Sequence, residues 1–213
     1  MSKTLLQILI DANATLDLDA SAPSGTESTT RSNYADQAVW DASATGQLSE
    51  FKREHLTTCS TMATLPLPAD FREFQEWPHI ATGGGWQSYE PIEVEKKYDR
   101  TGDYVCWVLG NPAEGYNVVF NNIIASNTVS IIYQRFPSGL LTLTALCELS
   151  DPQYVVRKIE SYVLYSRNDE RLQIAESRAQ QTLANMMGRE MKGASGQGRA
   201  TTPSSFRHPL QNG

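Results

Sequence analysis

Residues 151–192 carry two consecutive helical periods, DPQYVVRKIESYVLYSR and DERLQIAESRAQQTLANMMGREMK, interrupted only at Asn168-Asp169. Asp151 can cap the first helix, and Pro152 sits at its first position, where a missing N–H is no loss. Val155, Ile159, Tyr162, Val163 and Ser166 then recur at helical spacing. Asp169 can cap the second helix, and Gly193 reads as its stop. Leu172, Ala175, Ala179, Leu183, Met186 and Met187 form its apolar stripe. The stripe is rich in small residues, so another surface can approach it closely. That surface is either the rest of the chain or a second copy. The break is either a tight helical hairpin or a kink in one helix.

The remaining segments must supply what those helices pack on. Residues 4–16 place Leu5, Leu6, Leu9, Ala12 and Leu16 on one helical face. Residues 17–31 turn to Ser, Thr, Ala, Pro and Gly and read as a loop. Asn33 is positioned to cap a helix over 34–45 that carries Ala38 and Trp40. Between Gln47 and Pro137 the helical period gives way to short apolar or alternating runs punctuated by Gly, Pro and Asn. Strands are expected at 51–58, 64–67, 92–97, 104–109, 117–120 and 128–136, with residues 110–115 as a hairpin loop. Phe71 and Phe74 read as carried on a short helical turn, and Thr82-Gly83-Gly84-Gly85-Trp86 as a connector or hairpin tip. Residues 140–149 are apolar and read as a short helix or an irregular packed segment.

The order is helices, strands, helices and tail, which predicts an α+β fold. The helical bundle body comes from residues 1–46 and 138–192. An antiparallel β module, sandwich or barrel-like, is inserted at 47–137. Residues 193–213 form an extended C-terminal tail without an acidic residue, too rich in Gly, Ser and Pro to make a core.

Net charge is −6 over 213 residues, which argues against tight duplex binding as the main activity. Cys59, Cys106 and Cys147 lie far apart without CxxC spacing, so reduced, buried thiols are expected rather than disulfides or zinc. The apolar run from Leu5 to Ile10 is too short for a membrane span. A soluble protein made in a reducing cytosol is therefore expected. Gly83-Gly84-Gly85 is followed by Trp86-Gln87 and lacks a phosphate-reading lysine; Gly196-Gln197-Gly198 does not continue into a dinucleotide fingerprint. Residues 193–197 miss the last glycine of a nucleophile elbow. His55, His79 and His208 are scattered, and Glu90, Glu93 and Glu95 read as a solvated strand face. No cofactor and no catalytic residue is expected.

The order of features resembles that of the head-to-tail connector proteins of tailed bacteriophages, also called adaptor or neck proteins. The resemblance spans most of residues 1–192. It rests on the helix Thr4-Leu5-Leu6-Gln7-Ile8-Leu9, the Trp-bearing helix and the LP-x-DF-like element Leu67-Pro68-Ala69-Asp70-Phe71. It continues through Val105-Cys106-Trp107-Val108-Leu109-Gly110-Asn111-Pro112 and Ile131-Ile132-Tyr133-Gln134-Arg135-Phe136-Pro137. The ending is Asp151-Pro152, Tyr162-Val163-Leu164, Asn168-Asp169-Glu170-Arg171 and Leu183-Ala184-Asn185-Met186-Met187.

The resemblance implies a structural virion protein, not an enzyme. It would be assembled in the host cytoplasm and located at the neck of the virion. Such connectors form a homo-oligomeric ring, commonly a dodecamer, beneath the portal protein. DNA passes through the ring without specific binding, and a downstream neck, tail or nozzle protein attaches below; no membrane is involved. The tail would reach the portal, with Phe206 and Leu210 as apolar anchors and Arg199, Arg207 and His208 meeting an acidic groove. Asp169, Glu170, Glu176 and Glu190 would border the channel, or simply form an outward solvated face. Ala175, Ala179, Leu183 and Met186 would pack against the next subunit, or within their own chain. Rival readings are a tail-terminator or tail-completion ring, a nucleic-acid packaging accessory, and a β-sandwich carbohydrate-binding module with Trp77, Trp86 and Tyr89 as its platform.

Overall fold

The computed structural model describes residues 2–16, 20–59, 64–100, 102–111, 113–122 and 127–197, with side chains as far as Arg189. Helix α1, Leu5–Thr15, starts in a capping box: Thr4 Oγ1 accepts from Gln7 N–H, and Gln7 Oε1 accepts from Thr4 N–H. Leu5, Ile8, Leu9 and Ala12 line its buried face. Its next two N–H groups donate to the carbonyls of Ala145 and Leu143, at 2.9 and 3.0 Å. The apolar segment before α3 is therefore irregular, and it serves to satisfy the start of α1.

Helix α2 runs Gly25–Ser43 and so begins inside the stretch expected to be a loop; Asn33 lies within it rather than capping it. A buried contact to α1 sustains a helix through these weak formers. Arg31, 1% exposed, donates to Asn13 Oδ1 of α1 and to Glu27 one turn earlier. The hydroxyls of Thr29 and Thr30 bond back to the carbonyls of Gly25 and Thr26.

Helices α3, Gln153–Ser166, and α4, Leu172–Gln197, form an antiparallel hairpin. Asn168 adopts φ 51°, and Asp169 N–H returns to Leu164 O at 3.0 Å, which closes α3 in the left-handed manner that Asn tolerates. The break is a hairpin, not a kink. Gly193 does not stop α4, whose backbone stays helical for four more residues. One core unites both ends of the chain, from Leu5 to Phe51 and from Leu140 to Met186.

A second core lies inside a β-sandwich. In its first sheet, β9 (Asn127–Arg135) is central. Strand β1 (Lys52–Cys59) pairs along one side of it. On the other side β3 (Phe71–Phe74) and β4 (His79–Thr82) pair in succession, and β5 (Gly85–Ser88) extends beyond β4. The second sheet has the order β2 (Thr64–Pro66), β8 (Gly115–Phe120), β7 (Val105–Asn111), β6 (Glu90–Pro91). Its pairs are antiparallel except β6 with β7. Val129, Ile131, Tyr133 and Ile80 face Cys106, Val118 and Phe120 across the core.

Two expectations in this region are corrected. The run 92–97 is not a strand: after Ile92 N–H bonds to the carbonyl of Cys106, Val94–Tyr98 forms a 3₁₀ turn closed by Lys96 N–H on Glu93 O at 3.0 Å. Phe71–Phe74 is a strand, and its register shift between Phe71 and Glu73 lets both rings turn to one side, 5.1 Å apart.

The seam between the two cores is polar. Gln134, 1% exposed at the end of β9, donates to the carbonyl of Ser43 and accepts from Gln75. Arg135 donates to both oxygens of Glu148 and to the carbonyls of Glu50 and Phe136. Trp40 of α2 packs on Phe136 at 5.6 Å, with Arg72 over the same ring.

Candidate functional surfaces

The stripe Ala175, Ala179 and Met186 is almost completely buried, at 1, 1 and 2% exposure. Its partner is the chain's own α3, and Leu183 packs at the margin of the same core. Ala175, Ala179 and Met186 are therefore taken up by packing within the chain, and Leu183 is partly buried. Their spacing marks an apolar stripe but does not say whose surface covers it.

Of the acidic set, Asp169, Glu170 and Glu176 are among the described side chains. Asp169 accepts from the N–H and the guanidinium of Arg171, and that pairing holds its carboxyl below the usual range. Its charge is largely local: it starts α4. Glu170 and Glu176 are exposed, Glu176 lying beside Tyr154, Lys158 and Gln180 in the groove between α3 and α4. The side chain of Glu190 lies outside the described residues, as do Arg199, Phe206, Arg207, His208 and Leu210.

The proposed aromatic platform separates. Tyr89 is buried against Tyr104 and Phe120 and belongs to the sandwich core, whereas Trp77 and Trp86 are 54 and 57% exposed. Cys59, Cys106 and Cys147 are all buried, and burial pushes the thiols of Cys106 and Cys147 up to about 12 and about 11.

Two surfaces were not legible in the sequence. One is apolar: Leu6, Leu141, Leu143 and Leu146 stand 37, 80, 47 and 60% exposed, on α1 and on the segment that caps it. Leu143 and Leu146 belong to an apolar run that reads as core until the segment is known to lie along the end of α1.

The other is on the outer face of the β1–β9–β4–β5 sheet. Leu56, Ser130, His79 and Ser88 form one cross-strand row, with Glu54 one step to one side of it on β1 and Trp86 one step to the other side on β5. Ser130 Oγ donates to Glu54 Oε1 at 2.7 Å, and Ser88 Oγ is 3.0 Å from His79 Nδ1. Glu54, His79, Trp86 and Ser130 line a cavity of about 390 Å3. The strand order brings together residues far apart in sequence, so no local motif announces them.

Among the described residues, no group of three or more His, Cys, Asp and Glu is placed to hold a metal ion. No described helix is long and apolar enough to cross a membrane. No protein-family model matches the chain, and no curated protein matches it.

Proposed function

We propose that this chain is a head-to-tail connector of a tailed bacteriophage, a structural virion protein that forms a ring under the portal. The observation that carries this reading is the layout. Both chain ends share one helical core, the β-sandwich between them has another, and the features of the connector resemblance occur in that order. DNA passes through the ring without specific contacts, which suits an acidic chain, since each lysine–phosphate contact would add affinity and slow passage. Glu170 and Glu176 border the channel; Asp169 contributes less, because Arg171 balances it.

A closed ring needs two different faces on each copy. Support for one comes from the exposed Leu6, Leu141, Leu143 and Leu146 on two segments joined by backbone hydrogen bonds, since large apolar side chains gathered at one place on a surface mark interaction sites. Helix α4 spans 26 residues, about 39 Å at 1.5 Å per residue, against about 21 Å for the 14 residues of α3. Its far end thus outreaches the helix it packs on and carries residues 198–213 toward the portal. A downstream neck, tail or nozzle protein attaches to the opposite face of the ring.

Deleting residues 198–213 tests the tail. The truncated chain is expected to keep its circular dichroism and melting temperature but to lose attachment to portal in co-sedimentation. Truncated protein that still completes particles in an assembly extract would contradict the tail's role.

A further inference from the structure

We propose that the cavity on the outer face of the first sheet is a binding site for a neutral saccharide, with a pyranose ring stacked on Trp86 and its hydroxyls held by Glu54, His79 and Ser130. At about 390 Å3 the cavity falls in the range of small-ligand sites, roughly 300–1,000 Å3. Trp86 keeps 57% of its surface in solvent on a strand where neither core needs it. An indole face offers the C–H face of a sugar a large apolar platform at little cost in side-chain freedom.

The groups beside it are hydrogen-bonding rather than apolar. A carboxylate can accept from two neighbouring hydroxyls at once. Ser130 spends its proton on Glu54, which both orients the carboxylate and leaves the serine oxygen as an acceptor. Ser88 engages Nδ1 of His79 and so fixes the ring, leaving Nε2 as the nitrogen to meet a ligand. Ala81, directly opposite Trp86 in the register, is too short to fill the space beside the indole. The carboxylate disfavours phosphate and other anions, which is why the ligand is neutral. The proposed activity is binding and includes no bond-breaking step. It stands whether or not the chain is a connector.

Saturation-transfer NMR on the full chain, with methyl glucoside, methyl galactoside, methyl mannoside and N-acetylglucosamine as probes, tests it. At least one probe is expected to receive saturation at the ring protons of one face. Trp86→Ala should abolish that signal, and Trp77→Ala, which removes an equally exposed indole, should leave it. Glu54→Gln should weaken binding about tenfold, the difference between a charge-assisted and a neutral hydrogen bond. Circular dichroism of each variant checks that it is folded. Silence from all four probes, or a signal that persists in folded Trp86→Ala, overturns the proposal.

Discussion

Arg135 leaves the end of β9 and enters the seam between the two cores, 8% exposed, with both oxygens of Glu148 within reach and the Phe51 ring 5.7 Å away. Removing one member of a buried pair strands the other. Arg135→Met is therefore expected to cost about 3 kcal/mol in urea unfolding, and Arg135→Met with Glu148→Leu to recover much of that loss. A double variant no better than the single one would mean that the pair is not what the seam depends on. Titration supplies a second residue-scale prediction. Burial raises Tyr133 and Tyr154 to about 12 from an ordinary 10.0, and hydrogen bonding to Asp70 adds to the rise at Tyr133. A raised folded value means that the native chain holds protons which the unfolded chain releases. This stabilisation is complete below pH 10 and is lost as pH rises toward about 12. Melting temperature should fall across that window; a flat profile would contradict these assignments. By the same burial, Cys106 and Cys147 should resist an aromatic disulfide reagent at pH 8 and react once the chain is unfolded.

The β7–β8 hairpin shows how local geometry sets the tolerance of a whole element. Gly110 has φ 109°, and a Cβ there would lie 2.1 Å from the carbonyl oxygen of Gly115. Gly115 also has a positive φ, 86°, but nothing lies within 4 Å of its would-be Cβ. Gly110→Ala should thus cost more than Gly115→Ala, which should lose only roughly 1–2 kcal/mol of backbone strain; equal melting temperatures for the two variants would contradict this. Elements with a strong local period were legible in the sequence. Helices α1 and α3 and strands β1 and β9 fall within a residue or two of their expected places, and α4 lies in its expected place but runs past Gly193. The misses share a cause, which is tertiary contact overriding local pattern. Phe71 and Phe74 have helical spacing, yet the register shift in β3 brings them together on a strand. Ile92 and Val94 alternate like a strand, but only Ile92 keeps a bond to β7 before the chain turns into the 3₁₀ segment. The Ser/Thr-rich start of α2 is a poor helix former that Arg31 anchors by reaching α1. Of the candidate sites, Trp86 could be singled out as an aromatic, whereas Glu54, His79 and Ser130 join it only through a non-sequential strand order.

On the scale of the whole molecule, the helical body and the sandwich divide the proposed work. The body carries the exposed leucines and the long α4, and the sandwich carries the sheet-face cavity. If those leucines form a face of the ring, Leu143→Asp with Leu146→Asp should leave the melting temperature within a few degrees of the parent but prevent assembly on the portal. Connectors of this kind can stay monomeric until they meet the portal, so the isolated chain does not decide the matter. Electron microscopy and native mass measurement of the full chain mixed with its portal protein test the central claim most directly. The connector reading predicts a ring of one copy number, commonly twelve, seated on one end of the portal with an open axial channel. A chain that stays monomeric in the presence of portal, or binds it without closing a ring, would contradict it.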